Sequence, residues 1–286
     1  MAKPQYGGQA VIEGVMMRGP DGYAVAVRKP DGTIGVVKED VTAISKRYKA
    51  LGLPILRGAV IFVDSLLLGV KSLMLSADMS GEENEKLSPA AQVMTMLVAM
   101  GFAVGLFIVL PTVLMSFARR SVGAPSILMN IAEGLLRGVI FVLYVVAISR
   151  MGEVRRVLAY HGAEHMVINT YDSAEELTVD NARTHSRLHP RCGTSFLLFV
   201  VLIGSALFSL FGWPGLLQRI MLRLALLPLV AGLSYEVIRF SGRTRMLLVR
   251  LACAPGMWLQ RLTTLEPDND QIEVAIESLK ALLASS

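Results

Sequence analysis

The chain has 286 residues, 53% of them hydrophobic and 18% charged, with a formal net charge of +5 and a mean hydropathy of +0.53. That balance excludes an ordinary soluble domain and a disordered chain, and it points to a membrane protein. Basic and aromatic residues are not interleaved as a nucleic-acid surface requires, so no nucleic-acid partner is expected.

Residues 1–45 read as a small β-meander. Gln9–Arg18, Tyr23–Arg28 and Thr33–Val37 are β-rich runs separated by Pro-Asp-Gly turns at 20–22 and 30–32, the residue types that favour tight hairpins. Two or three strands are not stable alone, so the sheet is expected to pack on the cytoplasmic face of the rest. Glu13 interrupts an apolar run, where exposure at a sheet edge accounts for it. The first residues lack a charged start followed by an apolar core, so no cleavable signal peptide is expected.

Residues 46–88 hold an apolar segment and then a polar linker, Gly81–Lys86. Within Leu53–Met74, Arg57, Asp64 and Lys71 recur every seven residues and share one narrow helical stripe. Such a helix lies on the membrane surface or packs on the bundle with its charges toward protein. The surface reading is the expected one, because a crossing would put three charges at membrane depth.

Residues 89–240 are expected to cross the membrane four times. The stretches 90–118 and 192–218 carry no charge, and each exceeds the roughly 20 residues a spanning helix needs. The stretch 127–149 carries Glu133 and Arg137, which are also an i, i+4 pair, and 216–238 carries Arg219, Arg223 and Glu236. These charges are expected near helix ends, reaching headgroups. Of the 28 Lys and Arg, eleven precede residue 89, six lie in 150–191 and six follow from Arg239. The positive-inside rule then places both termini and the 150–192 loop in the cytoplasm, in a multi-pass membrane protein. In the tail, 241–286, Arg243–Trp258 should lie along the membrane surface, and Gln271–Leu283 reads as an amphipathic helix with an acidic cap. The two cysteines, Cys192 and Cys253, both fall on the reducing side, so no disulfide is expected. The fold class is thus a membrane all-α bundle of about four spans, with a cytoplasmic β-meander and cytoplasmic amphipathic helices.

All four histidines fall within 161–189, as two i, i+4 pairs: His161 with His165, and His185 with His189. On a helix His165 lies about 40° around the axis from His161, and Glu164 about 60° to the other side. One face then carries an H-x-x-E-H cluster, in which two histidines hold zinc and the glutamate serves as general base. The third ligand is open among His185, His189, Cys192 and Glu236, all expected at similar depth. Pro190 pushes His189 toward extended geometry, so the second pair reads as ligands on a loop folding back over the helix. One closed site, one open site or two sites are all compatible with six donors. Tyr160, Asn169, Tyr171 and Asp172 are candidates to orient the imidazoles, and Glu164 has an alternative as an ion-pair partner of Arg155 or Arg156.

Gly7–Gly19, the histidine region, Pro255–Thr264 and Glu266–Ala275 together resemble the YqhQ-like family of bacterial membrane proteins. The resemblance implies a predicted metal-dependent enzyme with motif positions His161, Glu164, His165, His185, His189, Pro190, Cys192, Gly193 and Glu236. The reading is therefore a hydrolase with a divalent transition metal, zinc by its donors, acting on a peptide or lipid-linked bond at the membrane surface. His161 and His165 would be ligands and Glu164 the base, with membrane lipid and a membrane-protein or lipid-linked substrate as partners. Arg187 and Arg191 are candidates to hold an anionic headgroup or a tetrahedral oxyanion, although surface charge following topology is the expected account. The alternatives are a non-catalytic metal-binding scaffold or sensor and a di-metal lipid redox enzyme.

Overall fold

A computed structural model describes residues 6–40, 53–81, 88–123, 125–190, 192–241 and 247–284. Strands β1 (Gly7–Val11), β2 (Gly14–Arg18), β3 (Gly22–Arg28) and β4 (Ile34–Asp40) come first. The helices follow as α1 (Leu56–Ser80), α2 (Pro89–Val104), a π-turn (Gly105–Val109), α3 (Leu110–Val122) and α4 (Ser126–Ile148). Then come α5 (Gly152–Asp172), α6 (Val179–Thr184), α7 (Gly193–Ser209), α8 (Leu216–Ser241), α9 (Leu247–Thr263) and α10 (Asn269–Leu283). The fold class expected from the sequence holds: a mostly helical membrane protein with a small N-terminal antiparallel sheet. The polar linker, the start of the basic segment, Arg191 and the side chain of Cys253 lie outside the described residues.

The meander has four strands in the order β1-β2-β3-β4, because the run Gln9–Arg18 is a hairpin and not one strand. It turns at Ile12–Glu13, so that Val11 pairs with Gly14. Glu13 sits at φ 49, a left-handed conformation that costs a non-glycine residue about 1–2 kcal/mol. Its carboxylate accepts from the Arg156 guanidinium at 2.6 and 2.5 Å, and its carbonyl accepts from Arg28 N–H at 2.8 Å. Glu13 is thus a turn residue tied to α5, not an exposed edge.

The sheet is a middle layer. On one face Val15, Met17, Ala24 and Ala26 meet Tyr160, Ala163 and Val167 of α5 and Ile272, Ala275 and Leu279 of α10. On the other, Val11, Met16, Tyr23, Val25 and Val27 pack under Leu68, Leu75 and Met79 of α1. Burial of both faces explains why these strands do not alternate apolar with polar residues. The acidic cap of α10 is as expected: Asp268 and Gln271 form a reciprocal capping box.

The seven-residue charge stripe of α1 faces protein. Arg57 meets Glu236 at 2.7 and 2.5 Å, Asp64 meets Arg18 at 2.5 Å, and Lys71 meets Glu39 at 2.5 Å. Gly58, Gly69, Ser72 and Ser76 are buried on the packed side, while Leu56, Val63, Leu66, Leu67 and Leu73 are exposed.

Among the described residues, four helices are long and apolar enough to cross a membrane: Leu56–Ser80, Ala90–Ser121, Ser126–Ile148 and Leu216–Phe240. The set differs from the expected one by including α1. The charge-free stretch 192–218 instead gives a 17-residue helix, α7. It stops because Gly212 takes a left-handed turn at φ 66 and Pro214 cannot continue a helix. A second departure lies after α4: Glu153–His161 reads in the sequence as a helix continuing straight out of 127–149, but Ser149–Met151 separate α4 from α5. The third concerns Glu133, Arg219 and Arg223, each no more than 3% exposed. They meet one another inside the bundle and do not reach outward to headgroups.

Candidate metal centre

Helix α5 carries the centre on its buried face. The crossing chain comes so close at Gly162 that a Cβ there would run into the Leu265 carbonyl, and Leu265 N–H donates to the Leu158 carbonyl at 2.9 Å. This seats the end of α9 against His161. The Nδ1 of His161 lies 2.8 Å from the Thr263 carbonyl, and Nδ1 of His165 lies 2.6 Å from the Arg187 carbonyl. A carbonyl only accepts, so the hydrogen-bond network assigns the proton to Nδ1 in both rings and leaves Nε2 with its lone pair. Ligating imidazoles are oriented in this way.

The loop after α6 folds back over α5, as the extended geometry before Pro190 requires. Asn169 Nδ2 donates to the carbonyls of Ser186 at 2.6 Å and Leu188 at 3.2 Å. The loop delivers Cys192, at the N-cap of α7, to within 3.4 Å of His161 Nε2. One ligand atom each from His161, His165 and Cys192 lie within 4.8 Å of one another.

Glu164 completes the group. Its Oε2 is 3.9 Å from His161 Nε2, and its carboxylate accepts the backbone N–H of Gly8 in β1. Burial pushes its carboxyl up to about 6, against the opposing pull of His161 and the Gly8 N–H. Arg156, a sequence-level partner for Glu164, is taken by Glu13.

The other three sequence candidates do not join the cluster. His189 is its neighbour, 5.8 Å from His165 between ring centroids, with Nε2 3.6 Å from Asp172 Oδ2. His185 lies 3.2 Å from Glu175 Oε2, since an extended loop cannot bring both histidines of that pair inward. Glu236 is held by Arg57. Of the other expected polar partners, Asn169 and Asp172 serve the loop and His189, whereas Tyr160 approaches Glu13 at 3.4 Å and Tyr171 packs edge-on against Tyr6. Arg187 donates to the Thr264 carbonyl at 2.8 Å.

Three groups that orient the centre are backbone atoms, of Gly8, Arg187 and Thr263, and no side-chain signal announces them. Gln260 fixes the loop beside the centre: its Oε1 accepts His189 N–H at 2.8 Å and its Nε2 donates to the His189 carbonyl at 2.9 Å. A glutamine amid Trp258, Leu259 and Leu262 was its available clue.

The cluster opens into a cavity of about 830 Å³, lined by Gly8, Gln9 and Arg18 of the sheet, Ile61 and Leu68 of α1, and Tyr235 of α8. A volume of this size is typical of ligand sites.

Fold and centre together define a polytopic membrane protein with a histidine–cysteine cluster under a covering sheet. A family described as "Protein of unknown function (DUF1385)" matches residues 53–285, and the chain belongs to that family. It is 36% identical over 299 residues to the uncharacterized protein YqhQ of Bacillus subtilis (strain 168), with 98% of this chain and 92% of that one covered. This agrees with the resemblance read from the sequence. No solved structure matches the chain.

Proposed function

We propose that the protein is a metal-dependent hydrolase at the cytoplasmic surface of the bacterial inner membrane, acting on a peptide or lipid-linked bond. The observation that carries this is the convergence of one ring nitrogen each of His161 and His165 with the Cys192 thiol beside buried Glu164, at the wall of an 830 Å³ cavity. Two imidazoles and a thiolate suit zinc, and three protein ligands leave a fourth position for substrate or water. When bound, such an ion supplies Lewis acidity to a substrate carbonyl.

The remaining work belongs to the chain. Thr263 and Arg187 lock the two rings, and Glu164 is placed to take a proton from attacking water and return it to the leaving group. Edge strand β1 lines the cavity with Gly8, Gln9 and Ala10, which suits an extended peptide segment lying alongside it. The apolar residues of α1 suit a substrate anchored in lipid. The cytoplasmic assignment is supported by the Lys and Arg distribution alone.

Metal measured by plasma mass spectrometry on the detergent-purified protein tests this. Near-stoichiometric metal is expected in wild type and Glu164→Gln, and loss in His161→Ala, His165→Ala and Cys192→Ser. Peptide or lipid-linked probes should be cleaved by wild type and not by Glu164→Gln. Wild type that stays metal-free after reconstitution would sink the proposal. A non-catalytic scaffold has one observation behind it, the nearness of His189 to His165. Loss of metal in His189→Ala together with inert Glu164 would favour it.

A further inference from the structure

A second charged cluster lies inside the helix bundle, away from the metal centre. Glu133 of α4 accepts from Arg223 of α8 at 2.6 Å, from Arg137 at 3.0 Å and from Thr112 at 2.9 Å. Arg219 donates to the Thr112 carbonyl at 3.2 Å and to Ser116, and its guanidinium stacks 3.8 Å from the Trp213 ring. Two guanidiniums therefore bond one carboxylate and a third lies beside them on Thr112, an excess of two positive charges among apolar helices. Arginine does not shed its proton to escape burial, and uncompensated charge at this depth is costly.

Two observations say what is lacking. Nε and Nη1 of Arg219, a residue only 3% exposed, are buried with no hydrogen-bond acceptor among the described residues. Beside the cluster lies a cavity of about 320 Å³, walled by Arg137 and Arg223 at one point and elsewhere by residues such as Phe107, Val201 and Leu227. The small void of about 10 Å³ at Arg219 shares Phe208 and Arg223 with it. The backbone is shaped for this arrangement. Pro111 has no N–H for the Phe107 carbonyl, the π-turn Gly105–Val109 redirects that carbonyl, and Arg137 Nε donates to it at 2.8 Å. Such turns recur at functional sites.

We propose that this is a binding site for an anionic amphiphile, its acidic head held by Arg137, Arg219 and Arg223 and its alkyl chain filling the apolar cavity. The head is a carboxylate or a phosphate, since guanidinium forks suit both. This site stands independently of the metal reading.

Native mass spectrometry of the full-length, delipidated protein released from detergent tests it, with palmitate, palmitoyl lysophosphatidic acid, hexadecanol and inorganic phosphate each added alone. A one-to-one adduct is expected with palmitate or with lysophosphatidic acid, and the tighter of the two identifies the head. Arg219→Gln should weaken that adduct about tenfold or more, the loss of charge-assisted hydrogen bonds. Gly204→Leu should abolish it while leaving every arginine in place, because Gly204 lines the cavity and a Cβ there meets Phe208 and Val230 only at 3.4 and 3.7 Å. That variant decides the matter if Arg219→Gln fails to fold. Hexadecanol binding as well as palmitate, phosphate binding alone, no adduct with wild type, or full binding in Gly204→Leu overturns the proposal.

Discussion

Gln260 is fully buried and devotes both ends of its amide to the backbone of one residue, His189. Replacing it with leucine keeps the volume and strands a buried N–H and a buried C=O. Each stranded group costs about 1–3 kcal/mol, so Gln260→Leu should lower the thermal unfolding midpoint in detergent by several degrees. An unchanged midpoint would mean that the loop does not depend on this clamp. The same scale shows what a sequence conceals. H-x-x-E-H and Cys192 were readable, because a motif is a statement about side chains. Their orienting partners were not, because any residue can offer a carbonyl or an N–H. Glu236 and His185 were candidates on depth, spacing and the family resemblance, but Arg57 holds the first and the second lies beside Glu175.

At the scale of elements, α1 and α8 cross where two glycines meet. A Cβ on Gly58 would lie 2.7 Å from the Gly232 carbonyl oxygen and 2.9 Å from its Cα, backbone that cannot step aside. Gly58→Val should therefore push the helices apart at a cost of about 1–3 kcal/mol and loosen the Arg57–Glu236 pair. Gly101→Ala in α2, where a Cβ meets nothing, should be neutral or stabilise by up to about 1 kcal/mol. Equal thermal shifts in the two variants would refute the close crossing. The stripe at 57, 64 and 71 was legible as a periodicity, and its direction was one of two stated alternatives. The hairpin at Ile12–Glu13 was not legible, since neither residue is a usual turn former. The break at Gly212–Pro214 was visible in the sequence, but the absence of charge over 192–218 masked it.

Across the whole molecule, one helix serves two neighbourhoods. The second half of α1 lies on the sheet through Leu68, Leu75 and Met79, and a sheet with open edges cannot sit in hydrocarbon, where its backbone groups would go unsatisfied. Although α1 is long and apolar enough to cross, its length is expected to run along the membrane surface with Leu56, Val63, Leu66 and Leu73 dipping into lipid. Nitroxides placed at these four positions in liposomes should report one shallow depth by oxygen and nickel-chelate accessibility. A steady gradient from one end to the other would show a crossing instead.

The sheet's position between α1 and α10 also sets a timetable. Ser278 of α10 donates to the carbonyl of Ala24 across 254 residues of chain, and Arg28 reaches Glu273 at 2.8 Å. At a synthesis rate of roughly 5–20 residues per second, the strands wait on the order of 10–50 s for the helix that covers them. During that interval the part of the Val15, Met17, Ala24 and Ala26 face that α10 covers stays open, with α5 alone arriving earlier to shield the rest. The sheet is thus made long before it is fully covered, and a chain released before α10 leaves that face open to other nascent chains.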